Sequence, residues 1–406
     1  MFEDKNINNN IINWRVFTFC LIIIQSIGIR FFSGQGTLLS LIIIILSYRS
    51  LYLLTFRDYN FLFISTLFLL TCKIFNPSSF SLSSLVFQIS LIFSTYLFII
   101  QYRRYPNLIQ KEFFTALTLF AYHAILGYII YLIIPGKFVS FNGMNNTFAH
   151  LFYVSSGDFM GFKRNTGLFW EPGVFQLVMN LYLFYCIKFK KNFFHIISGI
   201  LIVLSSFSTV GLVILTINFG YYFYVKYKSG HVSFSHIAVI IFTLILFVPI
   251  LKGNTIEKIN GENTSGLVRL RDMIVGIDLI KEKPILGHGK FESDYLKTKS
   301  YVTSTEGELF SEEYLEITGD MGGGYTNGLL GLIAWYGIPV SFLIYFFYFK
   351  NRFVGNDITE RVIYCLIPLL SMISEPIAYT SLFLMFPLSY WILNVKYKTL
   401  KQNINL

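Results

Sequence analysis

The stretch Arg164-Asn-Thr-Gly-Leu-Phe-Trp-Glu-Pro-Gly173 places a cation, an acid, two glycines and a proline directly before a long apolar run. Charged groups this close to hydrocarbon cost free energy, so their presence indicates a functional task. Pro172 suits the first turn of a helix, and Gly167 and Gly173 let the backbone turn tightly or approach a ligand. The stretch therefore predicts the start of a buried helix that carries a site.

The composition excludes a soluble globular protein. The chain has 406 residues, of which 54% are hydrophobic and 13% charged, and its mean hydropathy is +0.59. Apolar runs that are long enough to cross a bilayer recur throughout the chain. The sequence predicts one all-α, polytopic integral membrane domain over residues 1–406, with about 12 transmembrane helices. The predicted spans are 14–29, 37–56, 61–74, 82–100, 114–134, 172–187, 196–207, 211–225, 236–251, 326–349, 362–372 and 378–395.

Basic residues cluster after the even-numbered spans. The clusters are Arg103, Arg104 and Lys111; Lys188, Lys190 and Lys191; Lys226 and Lys228; Lys350 and Arg352; and Lys396, Lys398 and Lys401. Cytoplasmic loops are enriched in Lys and Arg, so these clusters predict that both termini are cytoplasmic. Membrane orientation also explains the net charge of +10, which therefore does not indicate a nucleic-acid partner.

This topology places two polar segments, 135–171 and 252–324, on the outer side of the membrane. The second is longer than ordinary connections, which indicates a functional role. Within it an amphipathic helix is predicted at 265–283, where Pro284 ends the helical pattern. Its apolar stripe is expected on the membrane surface or on other helices, and its charged residues, including Asp272, are expected to face solvent or a cavity.

Charged residues of these segments are the candidates for chemistry. Glu171 is either a general base, a group that orients the acceptor, or a helix cap, and Arg164 is either an anion binder or a side chain that reaches the interface. Arg269 and Arg271 point in different directions on a helix, so only one of them is expected to serve a site. The alternative for both is a solvated helix face.

Further observations complete the set of candidates. His288 is either a proton carrier or an exposed turn residue, and Glu375 lies at the outer end of the eleventh predicted span. An acidic run lacks the compact spacing of a cation site, so no metal is predicted. The run consists of Glu306, Glu308, Glu312, Glu313, Glu316 and Asp320. Nucleotide, protease and redox motifs are absent from the sequence, so no cofactor is predicted.

Three motifs resemble the bacterial O-antigen and capsular polysaccharide polymerases of the Wzy type, which are related to the O-antigen ligases. They are the stretch from Arg164 to Gly173; Arg269 followed by Lys-Glu-Lys-Pro-Ile-Leu-Gly-His-Gly ending at Gly289; and Asn327-Gly-Leu-Leu followed by Trp335-Tyr-Gly-Ile. The resemblance covers residues 164–341.

The resemblance implies a GT-C-like, metal-independent glycosyltransferase of the bacterial inner membrane that joins undecaprenyl-diphosphate-linked oligosaccharides. Arg164 and Arg269 would neutralise the leaving diphosphate, and Glu171 or His288 would be the base. Flippase and chain-length regulator proteins are the implied partners. The candidate substrate-binding residues are Arg271, Gly287, Gly289, Asn327 and Glu375.

Two other functions fit parts of the sequence. Related ligases carry a His at the position of Thr326, just before Asn327, and the Thr favours a polymerase over a ligase. A secondary transporter or a flippase of lipid-linked sugars would show two corresponding halves. The halves of this chain differ, which favours an enzyme.

Overall fold

A computed structural model of the chain describes residues 13–32, 34–76, 82–140, 146–159, 161–230, 265–289 and 326–394. Within these residues lie twelve α-helices and one antiparallel sheet. The helices are α1 Trp14–Ile27, α2 Gln35–Leu46, α3 Phe56–Phe75, α4 Leu82–Ile100, α5 Leu108–Ile133, α6 Pro172–Lys188, α7 Phe193–Ser205, α8 Thr209–Lys228, α9 Ser265–Glu282, α10 Gly328–Phe349, α11 Ile358–Ser374 and α12 Ser381–Leu393.

Four of these helices are long and apolar enough to cross a membrane, namely α3, α4, α5 and α10, and four shorter helices are also apolar, namely α1, α2, α7 and α12. The structure therefore supports a helical membrane protein, while the count of about twelve spans stays a prediction. The predicted span 236–251 lies outside the described residues. The predicted span 37–56 is wrong in its second half, because α2 ends at Leu46 and a 3-10 helix, Tyr48–Leu53, follows it.

Ion pairs at one end of the helix bundle join the ends of some helices to the starts of others. The pairs are Arg103–Asp58, Lys188–Glu360, Lys228–Asp357 and Arg15–Glu112. The first pair connects the end of α4 to the start of α3, and the next two connect the ends of α6 and α8 to the start of α11. The last pair connects the start of α1 to the start of α5. We call this the basic end. The start of α6, the start of α10 and the end of α11 lie at the opposite end.

Helix α6 is the centre of the bundle, because it is buried on every side from Val174 to Ile187. A helix that is apolar all round belongs in such a position. Its two buried amides are satisfied by neighbouring helices: Gln176 donates to Ser371 Oγ at 3.0 Å, and Asn180 donates to the Gly211 carbonyl at 3.2 Å. These bonds fix the rotation of α6 and, with it, the direction of the residues at its start.

A four-stranded antiparallel sheet precedes α6, which corrects the all-α prediction for this segment. Its strands are β1 Val139–Ser140, β2 Asn146–Ala149, β3 Phe152–Phe159 and β4 Phe162–Asn165, in the order β1-β2-β3-β4. His123 of α5 anchors it through a 3.1 Å bond to the Leu151 carbonyl and through ring stacking on Phe152. Three of the strands have only two to four residues, too few to give a clear alternating pattern in the sequence.

Helix α10 is broken at Gly337, which has a φ of 75°. The break exposes backbone groups that pair with the segment after α9: the His288 amide donates to the Ala334 carbonyl and the Ile338 amide donates to the Pro284 carbonyl, both at 2.8 Å. A Cβ at Gly337 would overlap the Ile285 carbonyl. The break therefore docks the end of α9 against the bundle.

The Asp58–Arg103 pair generates the first prediction. Both side chains are buried, and Asp58 accepts from both terminal guanidinium nitrogens and from the Tyr96 hydroxyl. Asp58→Asn leaves the Arg103 charge buried without its counter-charge, which typically costs about 3–5 kcal/mol. We expect a clear drop in the thermal unfolding temperature of the purified protein in detergent.

The matched control is Asp278→Asn, because Asp278 pairs with the exposed Lys281 in an i,i+3 contact. Exposed pairs contribute little to stability, so this variant should unfold like the wild type. Equal unfolding temperatures for the two variants would contradict the importance of the buried pair.

Candidate active site

The turn between β4 and α6 is shaped by Asn165. Its side-chain oxygen accepts from the Gly167 amide at 3.1 Å, and its amide nitrogen donates to Ser205 Oγ at 3.0 Å. Gly167 has a φ of 54°, and a Cβ there would press on the ring of Phe175. These contacts turn the chain tightly into α6, as the glycine and proline of the motif predict.

Arg164 is held by the turn between α7 and α8. Its Nε donates to the Ser206 carbonyl at 3.0 Å and its Nη2 donates to the Phe207 carbonyl at 3.2 Å. Phe207 has a φ of 48°, so the turn presents its carbonyls in an unusual backbone conformation. Arg164 is therefore fixed inside the protein by two backbone contacts, which a side chain extended to the bilayer interface would not make.

Two carboxyl groups meet at the start of α6. Glu171 is the N-cap residue of α6 and Glu375 follows the last residue of α11. Their side chains hydrogen-bond to each other, and Glu375 is only 2% exposed. A Cβ at Gly173 would overlap Oε1 of Glu375, so only glycine gives this carboxyl group its space.

Both carboxyl groups are perturbed by burial and by two arginines. Burial, and then the neighbouring Glu171, raise the pKa of Glu375 well above its usual value, while Arg269 and Arg164 oppose the rise. Burial also raises the pKa of Glu171, against the same two arginines and the hydrogen bond with Glu375. The four side chains therefore form one electrostatic group, which we call the Arg–Glu cluster: Arg164, Glu171, Arg269 and Glu375.

Asp272 holds the helix that carries Arg269. It is fully buried, and its Oδ2 accepts from the Thr326 amide at 2.8 Å and from the Thr326 hydroxyl at 2.7 Å. These bonds fix α9 to the residues just before α10, one turn away from Arg269. No pattern in the sequence indicated that Thr326 would be this partner, and the expectation that Asp272 faces solvent or a cavity is wrong. The side chain of Arg271 lies outside the described part of the structure.

His288 is fully buried, so the alternative of an exposed turn residue is wrong. Its Nε2 lies 2.9 Å from the Leu279 carbonyl of α9. The flanking Gly287 and Gly289 both have a φ of 64°, and a Cβ at Gly287 would overlap the Trp335 carbonyl. These contacts join α9 to the break in α10. In the described part of the structure, the turn therefore serves to hold these two helices together.

Asn327 caps α10, because its side-chain oxygen accepts from the Leu330 amide at 3.0 Å. The next residue, Gly328, packs on the main chain of Glu375: a Cβ there would lie 2.7 Å from its carbonyl oxygen. The start of α10 is thus brought beside the cluster. In the described part of the chain no three His, Cys, Asp or Glu side chains group as a metal site, and the acidic run at 306–320 lies outside that part.

Gly173 generates the second prediction. Gly173→Ala must displace the Glu375 carboxyl group or shift α6, so we expect a lower unfolding temperature than that of the wild type. Gly220→Ala is the matched control within a helix, since a Cβ at Gly220 meets nothing within 4 Å. Thermal unfolding in detergent measures both. Wild-type stability of Gly173→Ala would show that the start of α6 has room for a Cβ beside the Glu375 carboxyl group.

A family comparison agrees with the sequence motifs. Residues 193–345 match the family model described as O-antigen ligase, a family that includes ligases and polymerases. The matched region contains Arg269 and Thr326, whereas Arg164, Glu171 and Glu375 lie outside it. No curated protein and no solved structure matches the chain significantly. The match over residues 193–345 confirms the resemblance to the O-antigen ligase and polymerase family that the sequence motifs indicated.

Proposed function

We propose that this protein is a polysaccharide polymerase that joins undecaprenyl-diphosphate-linked oligosaccharide repeat units into O-antigen or capsular polysaccharide. One observation carries the proposal: Arg164 and Arg269 come from separate segments, and both lie close enough to the carboxyl pair to oppose the rise in the pKa values of Glu171 and Glu375. Two guanidinium groups suit a diphosphate, because their planar nitrogens match its oxygens in pairs. A carboxylate beside them supplies a base for a sugar hydroxyl.

The reaction needs both the guanidinium groups and a carboxylate. A hydroxyl of the acceptor sugar attacks the anomeric carbon of the donor, and the bond from that carbon to the lipid diphosphate breaks. Negative charge then grows on the diphosphate, where Arg164 and Arg269 stabilise it. The hydroxyl proton passes to a carboxylate of the cluster. This chemistry uses side chains of the protein alone, and metal independence is part of the proposal.

The orientation of the helix bundle in the membrane, as its basic end indicates it, supports a site on the outer face of the inner membrane. Helix α1 starts at the basic end, and α12 ends there, where Arg57 packs on Trp391 and donates to its carbonyl. Basic residues favour the cytoplasmic side, so both termini are assigned to the cytoplasm. The Arg–Glu cluster lies at the opposite end of α6 and α11. It would therefore meet lipid-linked substrates after their translocation.

The ligase is the second candidate, since the matching family model carries that description. A ligase would transfer the finished glycan to lipid A core instead of to another lipid-linked repeat. The position where related ligases carry a His is Thr326 here, and its hydroxyl donates to Asp272. A threonine hydroxyl does not take up a proton near neutral pH as an imidazole ring does, which favours the polymerase.

The bilayer and other proteins of glycan assembly complete the proposal. Met273 and Ile277 of α9 are exposed apolar residues, and a bilayer surface would cover such a stripe. A flippase that delivers the repeat units and a regulator of chain length would act beside the polymerase.

The third prediction concerns the two arginines. Arg164→Ala and Arg269→Ala should each lower polymer formation by about 10²–10³-fold, as expected for the loss of one group that stabilises the leaving charge. The variants are expressed in a deletion strain, and surface polysaccharide is separated on a gel. The long-chain ladder should disappear, while a single capped repeat remains.

Arg49→Ala is the matched control, because Arg49 is exposed in the 3-10 helix after α2. It should give the wild-type ladder, with membrane abundance checked for all variants. A ladder that persists in both Arg164→Ala and Arg269→Ala would refute the site. Polymer that accumulates on its lipid carrier in the deletion strain would identify a ligase instead.

A further inference from the structure

The two carboxyl groups of the Arg–Glu cluster are in direct contact, which two ionised carboxylates would avoid. A carboxylate can only accept hydrogen bonds, so a bond between two carboxyl groups requires a proton on one of them. Repulsion between like charges has the same consequence, since close carboxylates cannot both ionise easily. The hydrogen bond between Glu171 and Glu375 therefore contains one proton.

The packing distinguishes the two partners. The carboxyl group of Glu375 fills the space left by Gly173, and the Glu375 carbonyl is covered by Gly328 at the start of α10. Glu375 is only 2% exposed, whereas Glu171 is partly exposed at the start of α6. Burial penalises the charged form most where water is most completely excluded. The proton therefore resides on Glu375.

We propose that Glu171 and Glu375 form an acid pair in which neutral Glu375 donates a hydrogen bond to ionised Glu171, and Glu171 is the base for the acceptor hydroxyl. The proposal rests on the proposed polymerase function and assigns the unequal roles within its site. Among the described residues, the charged groups that face the pair are Arg164 from β4 and Arg269 from α9. Glu171 is thus a catalytic residue and Glu375 a positioning residue.

The proton and electrons balance in this step. The acceptor oxygen forms its bond to the anomeric carbon as its proton moves to Glu171. The electron pair of the broken carbon–oxygen bond goes to the leaving diphosphate, beside Arg164 and Arg269. Both carboxyl groups are then neutral, and Glu171 releases its proton to water before the next cycle. Glu375 keeps its proton throughout, so it acts only by orienting Glu171.

Three substitutions separate these roles in the fourth prediction. Glu375→Gln keeps a neutral donor of similar shape, so elongation of a lipid-linked repeat by the purified protein should stay within about tenfold of the wild-type rate. Glu171→Gln removes the base and should lower the rate by about 10²–10⁴-fold. Glu375→Met fills the space without a hydrogen-bond donor, so its elongation rate should be well below that of Glu375→Gln.

The pH profile gives a readout that a packing role would not change. The wild-type rate should fall at acid pH, where Glu171 becomes protonated, and also at alkaline pH, where Glu375 loses its proton and the two charges repel. An amide does not ionise in this range, so Glu375→Gln should keep the acid limb and lose the alkaline one. An unchanged alkaline limb in this variant would overturn the assignment of the proton to Glu375.

Infrared difference spectra test the pair without turnover. The carbonyl band of a protonated carboxylic acid should be present in the wild-type protein at neutral pH and absent from Glu375→Gln. If the band is present but the wild type elongates nothing, the acid pair stands and the polymerase function fails. If the wild type elongates while Glu375→Gln is as inactive as Glu171→Gln, or the band is absent from the wild type, the acid pair fails.

Discussion

The contact between the start of α6 and the end of α11 is the constraint on which the site depends. Gly173 leaves room for the Glu375 carboxyl group, and any side chain at that position would overlap it. Because α6 is buried on every side and its rotation is fixed by Gln176 and Asn180, its start has little freedom to move. A carboxyl group is thus placed deep in the protein beside a second one.

The arginines reach this pair from elements that are fixed by other means. Arg164 is bound to the backbone of the turn between α7 and α8, and Arg269 lies on a helix that Asp272 ties to Thr326. The break at Gly337 adds a second attachment for the same helix, through backbone pairing with its following turn. Each cation is therefore positioned independently of the carboxyl groups, as a preorganised site for a developing charge requires.

Part of this arrangement could be predicted from the sequence. Charges beside apolar runs are costly, so Arg164, Glu171 and Arg269 stood out, and the structure brings them together with Glu375. The sheet and the burial of Asp272 could not be predicted, because they depend on contacts between distant segments. The spacing of apolar residues predicts the secondary structure of a segment. It contains no information on which distant carbonyl or hydroxyl group will hydrogen-bond to a polar side chain.

Cations are neutralised at one end of the bundle and only partly neutralised at the other. At the basic end, Asp58, Asp357 and Glu360 each neutralise a cation within the protein. At the other end, two arginines face a carboxyl pair that carries one proton, so one positive charge remains in excess. Two ionised carboxylates would cancel that charge and weaken the attraction for a diphosphate. The proton on Glu375 therefore has two effects: it allows the carboxyl groups to touch, and it leaves the arginines with a net charge for an anionic substrate.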